Sequence, residues 1–188
     1  MAYFPAFLKF DEMDILVVGG GNIATEKVEK LLNFSDKLTI VAPQCSTQMQ
    51  TYIQTHSLTY HDRVYQRGDI HDFGMVIIAV DDIPLQAQIY QESRSLRCFC
   101  NAVDSVEYCD FIFPSFVKKE ALTVAVSTSG TSPAFAKHFR HFLETKIPGC
   151  VAEFLQEMKA LRSTMPKGKE RMVFLDKKAK AYIESWKD

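Results

Sequence analysis

Apolar positions along this chain follow two rhythms. Ile15-Leu16-Val17-Val18, Leu38 to Val41 and Met75 to Val80 are short apolar runs, whereas Val28, Leu31 and Leu32 recur at three- and four-residue spacing. The first rhythm suits a parallel strand covered on both faces, and the second an amphipathic helix. The pattern therefore predicts strand, helix and strand over residues 14–43. It continues with a weakly amphipathic helix over 47–54, a strand over 57–60 with His56 and His61 at its ends, and a polar loop over 64–69. Residues 75–80 are the clearest buried strand. Asp81-Asp82 follows it, suited either to cap a helix from Pro84 to about Ser95 or to lie beside a ligand. Residues 98–103 predict a fifth strand, ending in Asp104.

From Phe111 the pattern changes. Phe111 to Val117 is one apolar segment, Lys118-Lys119-Glu120 reads as a turn, and Leu122 to Val126 as a strand, which predicts a hairpin outside the parallel sheet. A two-stranded hairpin is marginal alone, so a second subunit is expected to cover it. A helix over 133–145 puts Phe135, Phe139 and Phe142 on one stripe, with Lys137, Arg140 and His141 around the other side. Pro148-Gly149 ends it, a helix over 151–161 follows, and a lysine-rich helix over 173–186 closes the chain. The expected architecture is α/β: a Rossmann-like parallel sheet over residues 1–112, a hairpin-plus-helix dimerisation module over 113–146, and a helical C-terminal region over 147–188. The apolar lead-in Phe4-Pro5-Ala6-Phe7-Leu8 is expected to cover a sheet edge.

The first strand stops at three glycines. Gly19, Gly21 and Ala24 fit the G-x-G-x-x-G/A fingerprint, in which a tight turn, close backbone approach to a pyrophosphate and close helix packing each require a small residue. A diphosphate there sits against free N–H groups at the positive end of a helix. An NAD-type ribose is normally held by an acid about 20 residues further on, and a 2′-phosphate by an Arg. Here the second strand ends Val41-Ala42-Pro43-Gln44, with neither, so ribose contacts fall to the backbone around Pro43 and the Gln44 amide. The residues themselves leave NAD and NADP both open.

Composition narrows the setting. With 188 residues and 47% hydrophobic content the chain can bury a sizeable core, and its net charge of −1 gives no argument for nucleic acid or a membrane surface. No apolar run approaches a membrane span of about 20 residues, and the start lacks the basic residues of a signal peptide, so the cytoplasm is the expected location. Cys45, Cys98, Cys100, Cys109 and Cys150 lack zinc-site spacing and are expected to be reduced and mostly buried thiols.

Ligands of open α/β sheets bind outside the carboxyl ends of the strands. Asn101 and Asp104 are thereby delivered to the same crevice as the glycine turn, although an Asp after a strand is also a common turn former. Ser127-Thr128-Ser129-Gly130-Thr131-Ser132-Pro133 is dense in hydroxyls and opens a helix, so Thr128, Ser129 and the helix N–H groups are candidates for an anionic substrate group.

Six stretches carry a resemblance: FPAFLKF, LVVGGGNIATEKVEKLL, TIVAP, VIIAVDD, FCNAVDSVEYCDFIFPSFV and LTVAVSTSGTSPAFAKHFR, together spanning nearly everything from Phe4 to Arg140. In these the sequence resembles the precorrin-2 dehydrogenase family of siroheme biosynthesis, which includes the N-terminal module of bacterial siroheme synthases. The resemblance implies NAD-dependent oxidation of precorrin-2 to sirohydrochlorin within a homodimer, joined in some members to Fe²⁺ insertion. It puts the catalytic aspartate on Asp104 and cofactor contacts on Asn22, Ile23, Pro43 and Gln44, beside Gly19 and Gly21. Ser129 stands where many members have glycine, and Thr131 where many have lysine, a change expected to weaken one contact to a substrate carboxylate.

Elementary chemistry agrees with that resemblance. Removing a hydride and a proton needs a nicotinamide on one face of the substrate and a base within hydrogen-bond reach on the other, and Asp104 is the carboxylate expected there. A substrate with many carboxylates needs local cations, for which Lys118, Lys119, Lys137, His138 and Arg140 are available. The competing reading is a regulatory module that binds NAD(H) and catalyses nothing. Such modules commonly keep the ribose acid that is missing here.

Overall fold

A computed structural model describes residues 3–186. The chain divides into two compact units, Phe4–Ile112 and a second made of Tyr3 and the chain from Phe113 onward.

The first unit is built as β1 (Ile15–Val18), α1 (Asn22–Leu31), β2 (Leu38–Val41), α2 (Thr47–Thr55), β3 (Thr59–His61), β4 (Met75–Ile78), α3 (Ile83–Leu96) and β5 (Phe99–Ala102). The strands form one sheet in the order β3-β2-β1-β4-β5, every neighbouring pair parallel. All residues of β1 and β4 are buried, as their unbroken apolar runs require. The chain leaves β1 toward β2 on one side and returns to β4 on the other, so the topological switch point lies between β1 and β4. Ligand sites of such sheets form at the carboxyl ends of the strands on either side of that point.

Two local expectations are corrected here. β3 starts at Thr59 rather than Ser57, because Ser57 adopts φ +53° and Leu58 donates its N–H back to the Ile53 carbonyl at 3.0 Å, both part of the exit from α2. The lead-in does not bury itself: Phe4 and Phe7 are 89% and 76% exposed.

In the second unit β6 (Ser115–Lys119) and β7 (Leu122–Val126) form an antiparallel hairpin in which Lys119 pairs with Leu122. The turn is therefore Glu120-Ala121, with Glu120 at φ +50°, and Lys118 and Lys119 belong to the strand instead of the turn. Helices α4 (Pro133–Lys146), α5 (Val151–Thr164) and α6 (Lys169–Glu184) follow. The last begins four residues before its apolar periodicity does, since its first turn is charged and Glu170 there complements the positive helix end. Val117, Ile147 and Val151 form the core, against Leu122, Leu143, Leu155, Tyr182 and Trp186. Phe135, Phe139 and Phe142 lie outside it, exposed and stacked in file with centroids 5.7 and 6.1 Å apart. No helix among the described residues is long and apolar enough to cross a membrane.

Candidate functional site

The site grows from the exit of β1. Gly19 has φ +117°, and a Cβ there would stand 2.3 Å from the Ala79 carbonyl oxygen, at the exit of β4. A Cβ on Gly20 would stand 2.2 Å from the Gln44 carbonyl oxygen and 2.8 Å from Cys45 Sγ. Gly21 differs from both: it caps α1 in an extended conformation, and a Cβ there would meet nothing within 4 Å. The space in front of this helix end is open. No side chain caps α1, its first turn carries no acidic residue, and its first internal bond runs from Thr25 N–H to the Gly21 carbonyl at 3.0 Å. The N–H groups of Asn22 and Ile23 precede that bond and point their positive ends at the open space. This geometry fits a dinucleotide diphosphate.

The exit of β2 is stitched to the same turn. Gly19 N–H donates to the Val41 carbonyl at 2.9 Å, and Ser46 N–H to the Gly20 carbonyl at 2.8 Å. Thr25 Oγ1 donates to the Gly21 carbonyl at 2.8 Å and lies 2.9 Å from Ser46 Oγ. Between these anchors Pro43 and Gln44 are exposed. On the β4 side, Asp82 caps α3 by accepting from Leu85 N–H at 3.0 Å. Gln86, buried beneath, donates to the Val80 carbonyl at 2.8 Å and leaves its Oε1 without a partner among the described residues.

Asp104 lies just past β5, exposed and at φ +62°. Asp and Asn tolerate this left-handed conformation better than other side chains. The chain then makes a single 3₁₀ turn, Val106–Tyr108, and folds back beside β5 through an Asn101–Cys109 bridge. Several bonds brace this return. Asn101 is buried and donates through Nδ2 to the Phe111 carbonyl at 2.8 Å, so its amide donor is occupied by the chain itself. Cys109 Sγ donates toward the Ala102 carbonyl at 3.1 Å. Asp110 accepts from Cys100 N–H at 2.8 Å and from both terminal nitrogens of Arg94, whose guanidinium also lies over the Tyr90 ring. The result is a braced arm that presents Asp104, with Glu107 exposed on the turn beyond it.

Lys27, four residues past Ile23 on α1, was not singled out by sequence pattern. Burial and Lys30 hold its ammonium below the usual lysine range, against Glu26, Asp104 and Cys109, which favour its charged form. The i, i+4 relation to Ile23 is the signal that could have found it. The thiols of Cys98 and Cys100 are pushed up to about 12 by burial and stay protonated at neutral pH. Cys45 and Cys109 are half-buried, and Cys150 is exposed.

In the second unit the hydroxyl-rich loop opens α4. Ser132 Oγ accepts from Phe135 N–H at 3.2 Å, and Thr128 Oγ1 from Ser132 N–H at 3.1 Å. Hydroxyls that accept in this way keep their own O–H free to donate. Ser129 is exposed at φ +52°, the left-handed region that favours glycine, and Gly130 follows at φ +82°. Lys137 and His138 are exposed. Three of the cations expected to meet substrate are engaged elsewhere: Lys118 Nζ donates to the Glu120 carbonyl at 3.1 Å, Lys119 Nζ to the Ile147 carbonyl at 2.6 Å, and Arg140 to Glu144 at 2.8 Å.

Three comparisons bear on these observations. A family model described as "Putative NAD(P)-binding" matches residues 6–115. The siroheme synthase of Pseudoalteromonas atlantica is 34% identical over 165 residues, 88% of this chain and 36% of that protein. That of Stutzerimonas stutzeri is 35% identical over 163 residues, 87% and 35% of the two chains. The chain thus spans about a third of the length of these siroheme synthases. Among solved structures, SirC, a precorrin-2 dehydrogenase, superposes with a TM-score of 0.76 over 93% of this chain and 88% of its own, at 20% identity. It shares the fold.

Proposed function

Because the chain belongs to the NAD(P)-binding family matched by its residues 6–115, we propose that it is an NAD-dependent dehydrogenase that converts precorrin-2 to sirohydrochlorin in siroheme biosynthesis. The observation that carries this reading is the open, uncapped start of α1 at Gly21, together with the Asp104 carboxylate presented by a braced arm past β5. The siroheme synthase relatives and the precorrin-2 dehydrogenase neighbour support the choice of substrate.

NAD, when bound, supplies the hydride acceptor. The chain does the rest. Asn22 and Ile23 N–H groups hold the diphosphate against the backbone of Gly19 and Gly21, and Pro43 and Gln44 line the ribose. Asp104 takes the proton that leaves the substrate as the hydride departs, and its exposure keeps it reachable. Asn101 braces the Asp104 arm through Phe111 instead of offering its amide donor to the substrate. Thr128, Ser129 and Lys137 are the proposed partners of substrate carboxylates, through hydroxyl and ammonium donors. The working form is a homodimer that covers the Phe135, Phe139 and Phe142 file. All five cysteines are unpaired, the state expected of a reducing cytoplasm.

The test is anaerobic incubation of the protein with precorrin-2 and NAD⁺, following NADH and the tetrapyrrole spectrum together. Matched appearance of NADH and sirohydrochlorin is expected. NAD⁺ binding without turnover of competent substrate would leave the regulatory-module reading in its place.

A further inference from the structure

The ribose end of the fingerprint lacks its usual acid, but the neighbouring strand brings a carboxylate to the same place. β2 and β3 leave the sheet in register: Val41 pairs with His61, and Ala42 N–H donates to the His61 carbonyl at 3.2 Å. Asp62 therefore stands one strand over from Ala42-Pro43, a separation of about 4.8 Å between backbones. Side chains join the two exits. Tyr60 donates its hydroxyl to the Ala42 carbonyl at 3.0 Å. That hydroxyl is pushed up to about 12, first by desolvation and then by the Cys45 and Asp62 side chains beside it. Cys45 in turn packs against Gly20, since a Cβ there would lie 2.8 Å from its Sγ. A continuous set of Cys45, Tyr60 and Asp62 thus runs from the glycine turn to the sheet edge.

The cation nearest this set in sequence is committed elsewhere. Arg63 makes a two-pronged bond to Asp69, at 2.6 and 2.9 Å, and a third to the Val64 carbonyl at 3.1 Å. A 2′-phosphate needs an arginine or similar cation to receive it. What this strand end offers is an exposed carboxylate whose neighbouring guanidinium is turned to Asp69.

We infer that Asp62, reaching in from β3, selects a dinucleotide with a free ribose 2′-hydroxyl and rejects one with a 2′-phosphate. The inference rests on the proposal that the glycine turn binds a nicotinamide dinucleotide. The carboxylate accepts a hydrogen bond from a hydroxyl and repels a phosphate held at the same contact distance.

Binding of NAD⁺ and NADP⁺ to wild type, Asp62→Asn and Asp62→Glu, measured by titration calorimetry, tests this directly. Wild type is expected to prefer NAD⁺ by about 100-fold or more, Asp62→Glu to keep most of that preference, and Asp62→Asn to narrow it by at least about tenfold, mainly through tighter NADP⁺ binding. Asp62 is exposed, so both variants are expected to keep the wild-type thermal midpoint. An Asp62→Asn preference within about twofold of wild type, or a wild type that favours NADP⁺, overturns the inference. A wild type that binds neither cofactor overturns the underlying reading instead.

Discussion

The three glycines after β1 do different jobs. Gly19 combines φ +117° with a backbone contact that excludes a Cβ, and Gly20 is equally constrained by the Gln44 carbonyl. Gly21 is constrained by nothing in the chain. Gly21→Ala is therefore expected to fold with a thermal midpoint close to wild type, since a helix N-cap change of this kind costs only a fraction of a kcal/mol, yet to lose about tenfold or more in NAD⁺ affinity. Gly20→Ala should lower the midpoint as well, by about 1–3 kcal/mol of overpacking against the Gln44 carbonyl. Differential scanning fluorimetry beside a cofactor titration separates the two, and a Gly21→Ala variant that binds NAD⁺ like wild type would remove the diphosphate from this turn. The fingerprint marks Gly19 and Gly21 and treats Gly20 as any residue. Its constraint was not legible because it comes from the exit of β2, more than 20 residues away. The same holds for Lys119 and Asn101, whose partners, Ile147 and Phe111, no local pattern reveals.

Elements were legible where both faces of a strand are covered. β1 and β4 appear as unbroken apolar runs because both faces are covered, and β2 departs from this only at half-buried Thr39, whereas β3, at the sheet edge with two of its three residues exposed, carries no such constraint. The segment after β3 depends instead on a charge pair. The hydrogen bond from Arg63 holds the Asp69 carboxyl below its ordinary value, with burial opposing, and Gln66 N–H bonds the same group at 2.9 Å. A carboxyl depressed in the folded state stabilises it fully above the unfolded value of about 4, and that contribution disappears as pH falls through the depressed folded value. Asp69→Asn is accordingly expected to lower the thermal midpoint by a few degrees at neutral pH. The gap between wild type and variant should close as the buffer is taken below about pH 4. A gap that is the same at pH 7 and pH 3 would show that the side chain acts through shape alone.

At the scale of the whole molecule, the exposed aromatic file Phe135, Phe139 and Phe142 on α4 stands out, with Phe139 39% exposed. The helical spacing of these rings was legible. Which of core or interface they serve was not, because periodicity defines a face and not what covers it. Light scattering at micromolar concentration is expected to show a dimer for wild type and a monomer for Phe139→Asp, since an unpaired carboxylate in such an interface costs several kcal/mol. A monomeric wild type would contradict the interface. The Asp104 arm unites the scales: one residue at φ +62°, a 3₁₀ turn braced by Arg94 and Asp110, and a sheet whose switch point lies one strand over, between β1 and β4. Asn accepts the same backbone conformation, so Asp104→Asn removes the base and little else. The most direct measurement is the rate and yield of NADH from precorrin-2 and NAD⁺, wild type beside Asp104→Asn, with NAD⁺ affinity measured on the same preparations. The expected result is about one NADH per precorrin-2 for wild type, and a rate lower by about 10²–10⁴-fold for the variant at unchanged NAD⁺ affinity. No NADH from wild type with competent substrate, or a variant that turns over at the parental rate, would contradict it.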